Sequence, residues 1–161
     1  MPSERCFHTD SAEETVALGA RLGGLLDGGE LLLFAGELGT GKTTFIRGLA
    51  RGLGAADPGA VHSPSYTLVN TYEGPIPFTH IDAYFMQTAE DLLLCGFDEA
   101  LRGGGVIAIE WADRLESFPG IEDYLPAEPI RIMMNLSASR EVDGRKIIIV
   151  NWPDKEGFSE E

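Results

Sequence analysis

Eight consecutive residues, Gly36-Glu37-Leu38-Gly39-Thr40-Gly41-Lys42-Thr43, carry the clearest chemistry in the chain, fitting G-x-x-x-x-G-K-S/T at every fixed position. Glycines at these places let backbone N–H groups converge on a polyphosphate. Lys42 adds a charge at its outer end, and the Thr43 hydroxyl is placed to meet Mg²⁺. Leu38, Gly39, Thr40, Gly41, Lys42, Thr43 and Thr44 are therefore the candidate nucleotide-binding residues, with Lys42 also a candidate catalytic residue. The bland alternative is a glycine-rich turn that matches by accident. The flanks argue against it. Leu31-Leu32-Leu33-Phe34-Ala35 is a short apolar run suited to a buried parallel strand. Phe45, Ile46, Leu49, Ala50 and Leu53 then recur as one face of a helix. Strand, glycine loop and helix stand in the order that turns a helix N-terminus toward an anion.

A phosphate cradle that hydrolyses its nucleotide also needs a carboxylate at the end of another strand, to hold Mg²⁺ or its water. Val106-Ile107-Ala108-Ile109-Glu110 is apolar and then acidic, and makes Glu110 the first candidate. Phe78-Thr79-His80-Ile81-Asp82 is a weaker version that offers Asp82. Either acid could equally be a solvated strand end. Trp111 either stacks near the nucleotide or fills core, and composition alone favours core. Ser63-Pro64-Ser65-Tyr66-Thr67 is a hydroxyl-rich segment, either a γ-phosphate sensor or a plain turn into a strand. His80 is more simply a hydrogen-bonded strand histidine than a catalytic one. Arg145 is either a surface charge or an arm reaching a phosphate or base. No N-K-x-D-like guanine-reading motif is present, which leans toward adenine.

The elements that must position these residues are legible along the chain. Ser11 and Glu14 read as a capping box for a first helix running to about Asp27, stopped by Gly28-Gly29. Tyr66–Tyr72 and Ile76–Asp82 read as strands joined around Gly74-Pro75. Thr88–Leu101 reads as helix interrupted near Gly96, and Val106–Ile109 as strand. Ile130–Leu136 and Lys146–Val150 read as strands joined through a tight Asp143-Gly144 turn. Such alternation around a phosphate loop predicts an α/β fold of the P-loop NTPase kind: a mixed, mostly parallel sheet with helices on both faces. The site is then expected at the carboxyl ends of the strands. One domain over residues 1–153 and an acidic, frayed tail over 154–161 are expected.

Bulk properties bound the function. The 161 residues suit one core. Twelve basic against 26 acidic side chains give a net charge of −14, a field that repels phosphate backbones and argues against autonomous nucleic-acid binding. Cys6 and Cys95 stand far apart with no C-x-x-C, so no zinc site or disulfide framework follows. No apolar stretch approaches the ~20 residues of a membrane span, and Met1-Pro2-Ser3-Glu4-Arg5 opens no secretory h-region, so a cytoplasmic location is expected.

Four segments together carry a family resemblance: Gly36 to Thr44, Ser63-Pro64-Ser65-Tyr66-Thr67-Leu68-Val69, His80-Ile81-Asp82-Ala83-Tyr84, and Ile109-Glu110-Trp111. In order and spacing they resemble the TsaE (YjeE) family of ATPases of tRNA threonylcarbamoyladenosine (t6A) biosynthesis, from about Phe7 to Val150. The resemblance implies a weak Mg²⁺-dependent ATPase that binds ATP or ADP. It further implies work with a TsaD–TsaB complex, which with TsaC installs threonylcarbamoyl on tRNA, the ATP cycle resetting that complex between turnovers. It assigns Thr43 and Glu110 to Mg²⁺, Asp82 and Trp111 to the cycle, Arg145 to the nucleotide, and Thr9 to the adenosine side. The chain departs from the family pattern at Ser65, where threonine is usual, and at Phe85, where D-x-Y-R has arginine. Rival readings are a small P-loop metabolite kinase, which would need an arginine-rich lid the sequence lacks, and an adaptor that holds nucleotide without turnover.

Overall fold

The computed structural model describes residues 3–37, 39–61, 68–137 and 144–154. Leu38, the Ser63–Thr67 segment, Asp143 and residues 155–161 of the expected tail lie outside the described residues.

Among the described residues the sheet has seven strands: β1 (Glu4–Thr9), β2 (Leu31–Ala35), β3 (Val69–Tyr72), β4 (Phe78–Asp82), β5 (Val106–Glu110), β6 (Ile130–Leu136) and β7 (Arg145–Val150). Their order is β1-β7-β6-β2-β5-β4-β3. Strands β6, β2, β5 and β4 form a parallel core, and β7 and β3 flank it antiparallel, with β1 antiparallel to β7 in turn. The helices are α1 (Ala12–Leu25), α2 (Lys42–Gly52), α3 (Ala89–Leu94), α4 (Phe97–Arg102) and α5 (Ala112–Leu115). None is long and apolar enough to cross a membrane.

Side-chain alternation assigns the two faces. Leu32, Phe34, Phe78, Val106, Ala108, Ile132, Met134, Ile147 and Ile149 join one core with α1 and α2. Leu31, Leu33, Ile81, Ile107 and Ile109 join the other with α3, α4 and α5. Because strand side chains alternate with period two, His80 and Asp82 share a face with Phe78, and Glu110 shares one with Val106 and Ala108. All three therefore point toward α2.

The sequence expectations meet two differences. First, α1 begins at Ala12 with Ser11 as its N-cap, whose hydroxyl accepts from Glu14 N–H at 3.1 Å. The Glu14 carboxylate, however, accepts from Asp10 N–H at 2.6 Å, so the box closes one residue early. Second, β1 belongs to no expected strand. It alternates poorly in sequence and becomes a strand by pairing with β7. The expected Asp143-Gly144 turn between β6 and β7 includes Asp143, which lies outside the described residues. Leu136 pairs with Arg145, so residues 137–144 make the connection. This register sets Ile132 opposite Ile149 and Met134 opposite Ile147 on one buried face.

Helices α1 and α2 approach backbone to backbone. A Cβ built on Gly48 would lie 2.1 Å from the Val16 carbonyl oxygen, and one on Gly19 would lie 2.3 Å from that of Phe45. Gly23 and Gly52 meet carbonyls of the partner helix in the same way. This contact fixes the start of α2, and with it the glycine loop, against the start of α1.

Candidate functional site

The loop leaves β2 at its carboxyl end and enters α2 at Lys42. Gly41 takes φ 94° as the residue before the helix, a conformation that costs L side chains steric energy. Gly36, at φ 148°, passes so close to β6 that a Cβ would meet the Met134 carbonyl oxygen at 2.4 Å. Among the described residues no side chain caps the N-terminus of α2, and no acid stands in its first turn. The first N–H groups of an 11-residue helix thus face outward with the positive end of its dipole.

Lys42 is buried and folds back into the loop, where Nζ donates to the carbonyl oxygens of Gly36 and of Glu37, the latter at 3.0 Å. The same Nζ lies 4.2 Å from the centroid of the Trp111 ring, within cation–π range. Burial pushes the Lys42 ammonium below the ordinary lysine range, while the carboxylates of Glu110, Asp113 and Asp82 pull it partly back. Phosphate oxygens would favour the charged form further.

Glu110 and Asp82 end neighbouring parallel strands and pair directly in register. Both are buried, and burial without partners would be costly for either. Asp82 Oδ1 accepts from Tyr84 N–H at 2.8 Å. Glu110 Oε1 accepts from the Thr43 hydroxyl at 3.3 Å, and Glu110 Oε2 meets His80 Nε2 at 2.7 Å. The expected strand-end carboxylate thus reaches the expected loop hydroxyl.

Trp111 adopts φ 61°, the left-handed region, between β5 and α5. Such strain in a non-glycine residue clusters at functional sites. The turn lifts Trp111 out of the core, half-buried over Lys42 rather than packed among the apolar residues that composition favoured. Tyr84 meets it edge-on, ring centroids 5.1 Å apart, and Tyr84 in turn meets Phe85.

Arg145 resolves in an unexpected direction. Its Nε donates to the Thr40 carbonyl at 3.0 Å and its Nη2 to the Gly39 carbonyl at 3.3 Å, so β7 braces the loop from its side. Thr40 is buried, and its hydroxyl donates to the Glu37 carbonyl at 2.9 Å. Beside Arg145 opens a cleft of about 290 Å³ lined by Ser11, Ala12, Glu13, Thr15, Gly41, Thr44 and Arg145 itself. Thr9 does not line it. Thr9 is buried behind it and reaches it through Thr15, the two hydroxyls 2.8 Å apart.

The structure brings Gly39, Thr40, Gly41, Lys42, Thr43, Thr44, Asp82, Glu110, Trp111 and Arg145 to one end of the sheet. Two contributors lay outside the expected site residues, one of them read from the sequence as a hydrogen-bonded strand histidine, which it is. His80 holds a Glu110 oxygen, and its phase with Asp82 along β4 was the available signal. The glycine pairs of α1 and α2 showed themselves only as spacings of four, Gly19–Gly23 and Gly48–Gly52.

A family model described as threonylcarbamoyl adenosine biosynthesis protein TsaE matches residues 9–147. A Treponema pallidum (strain Nichols) protein named tRNA threonylcarbamoyladenosine biosynthesis protein TsaE is 34% identical over 138 residues, which span 86% of this chain and 97% of that protein. A Bacillus subtilis (strain 168) protein of the same name is 36% identical over 137 residues, covering 84% and 80%. The crystal structure of Bacillus subtilis YdiB superposes with a TM-score of 0.71 at 29% identity, over 94% of this chain and 88% of that one.

Proposed function

The chain belongs to the TsaE family of threonylcarbamoyl adenosine biosynthesis proteins, and from that premise we propose that it is a slow Mg²⁺-dependent ATPase supporting t6A formation on tRNA. It acts on a TsaD–TsaB-like complex and meets tRNA only through that partner, because a net charge of −14 opposes direct phosphate-backbone contact.

One observation carries the ATPase reading: the Thr43 hydroxyl and the Glu110 carboxylate meet at 3.3 Å in front of an uncapped helix start. The uncapped N–H groups and Lys42 bind and orient the phosphates. Glu110 is aimed at the loop mouth, where it can orient an attacking water, and Asp82 adds a second negative charge beside it. Trp111 lies over the Lys42 ammonium and screens it from solvent on one side. The cleft beside Thr44 and Arg145 takes the nucleoside.

The donors fit Mg²⁺. Thr43 and Glu110 offer hard oxygens, and among the described residues no group of three or more His, Cys, Asp or Glu could hold an ion alone. A metal that keeps waters and arrives with phosphates needs no protein cage. Bound there, it would neutralise charge on the transferred phosphoryl group.

Glu110→Gln is the test, read by calorimetry for ATP and by single-turnover hydrolysis with and without the partner complex. ATP affinity should stay within about threefold while hydrolysis falls at least about 100-fold. Unchanged hydrolysis in Glu110→Gln would remove Glu110 from the chemistry. Wild-type hydrolysis undetectable in both conditions would leave an adaptor.

A further inference from the structure

We infer that His80 is a positioning residue for Glu110, fixing the carboxylate through a hydrogen bond from Nε2 to Oε2. The inference rests on the reading of Glu110 as the catalytic carboxylate.

His80 is fully buried in the middle of β4, with Phe78 and Asp82 on the same face. In register it stands beside Ala108 of β5, and the next residue along that face of β5 is Glu110. Alanine at the paired position leaves room for the ring to lean along the strand toward Glu110. The Nε2–Oε2 separation of 2.7 Å is that of a charge-assisted bond. A carboxylate only accepts, so Nε2 carries the hydrogen. The other ring nitrogen, Nδ1, is buried with no partner among the described residues. The ring's polar contact is therefore spent on Glu110.

A glutamate side chain at a strand end has three torsions to fix. Oε1 has the longer bond, 3.3 Å to a hydroxyl that must itself turn toward phosphate chemistry. Once the Thr43 hydroxyl is engaged elsewhere, His80 is the anchor that remains. Held at Oε2, the carboxylate keeps Oε1 aimed at the loop mouth. Partners of this kind contribute about 10- to 100-fold when removed.

The experiment compares His80→Gln, His80→Asn, Glu110→Gln and the double variant His80→Asn/Glu110→Gln. The glutamine amide nitrogen stands as many bonds from Cβ as Nε2 does, whereas that of asparagine stops one bond short. His80→Asn should lose about 10- to 100-fold in single-turnover rate with ATP affinity within about threefold. His80→Gln should recover most of that rate. His80→Asn should add nothing in the Glu110→Gln background, because a residue acting through another has no effect once the other is gone. Equal rates for His80→Asn and His80→Gln, or independent losses in the double variant, overturn the inference while leaving Glu110 in place. A wild-type rate in Glu110→Gln instead overturns the reading on which it rests. If the His80 variants do not fold, ¹⁵N-resolved NMR of the wild-type imidazole decides. A hydrogen-bonded proton on Nε2 supports the inference, and a proton on Nδ1 alone overturns it.

Discussion

The two faces of the sheet are packed by different means. On one, α1 and α2 touch through main-chain atoms at Gly19, Gly23, Gly48 and Gly52, and every Cβ there would fall within 2.4 Å of a carbonyl oxygen of the partner helix. On the other, the six-residue α3 and α4 and the four-residue α5 are held by side chains such as Leu92, Phe97 and Leu115. Glycine inside a helix costs about 1 kcal/mol against alanine, so four of them give up about 4 kcal/mol of helix propensity. That loss is tolerable only if close approach matters more. Side chains can adjust by rotamer changes, but two abutting backbones cannot. The face that presents the phosphate loop is the one with least freedom.

Substitutions in pairs can break this contrast. The largest effect is expected at Gly48. Gly48→Ala sets a methyl 2.1 Å from the Val16 carbonyl oxygen and must push α2 away. It should destabilise the fold by about 3 kcal/mol, at the top of the usual overpacking range, and weaken ATP binding at least tenfold. Leu92→Ala on the opposite face should destabilise by a similar amount, about 3 kcal/mol, yet leave ATP affinity within about twofold. Chemical denaturation and calorimetry on both variants check this, and equal losses of affinity would show that the faces do not differ in their hold on the loop.

A smaller effect separates two arginines on neighbouring strands. Arg145→Ala removes two charge-assisted bonds to the loop carbonyls of Gly39 and Thr40. ATP affinity should fall about tenfold, at the scale of one such bond. Arg131→Ala removes an exposed ion pair with Glu116 and should change stability by less than about 1 kcal/mol and affinity not at all. A titration in which both variants bind alike would reduce Arg145 to a surface charge.

The smallest effect has the opposite sign. Gly24 lies on α1 beside the packed glycines, but a Cβ there meets nothing within 4 Å. Gly24→Ala should stabilise by about 0.5–1 kcal/mol. A destabilisation in thermal melts would mean that α1 is constrained beyond its contact with α2.

Much of this architecture could be read before any coordinates. The loop motif, its strand and its helix were explicit. The acids closing the two short strands, Asp82 and Glu110, were visible as strand ends, and the period of two then puts Phe78 and His80 in phase with Asp82 and Val106 and Ala108 in phase with Glu110. What escaped the sequence depends on distant partners. Strand β1 has little apolar alternation and exists because β7 offers an edge. The target of Arg145 lies more than a hundred residues away in sequence, where no local pattern points. Glycines spaced by four can mark weak helix or close packing, and only the second helix decides between them. For Trp111 composition alone leaned toward core, because it says nothing of a left-handed turn, and only the family resemblance pointed to the site.

The pairing of β1 with β7 has a consequence for synthesis. Of the strands in the sheet, β1 is made first and β7 last, and β7 is the strand beside which β1 lies. At about 5–20 residues per second, β1 leaves the ribosome on the order of ten seconds before its partner exists. The same late strand delivers Arg145 to the loop carbonyls. On the proposed function, nucleotide capture doubles as a timestamp: a nascent chain stalled before Arg145 should hold ATP more weakly than one whose sheet is complete.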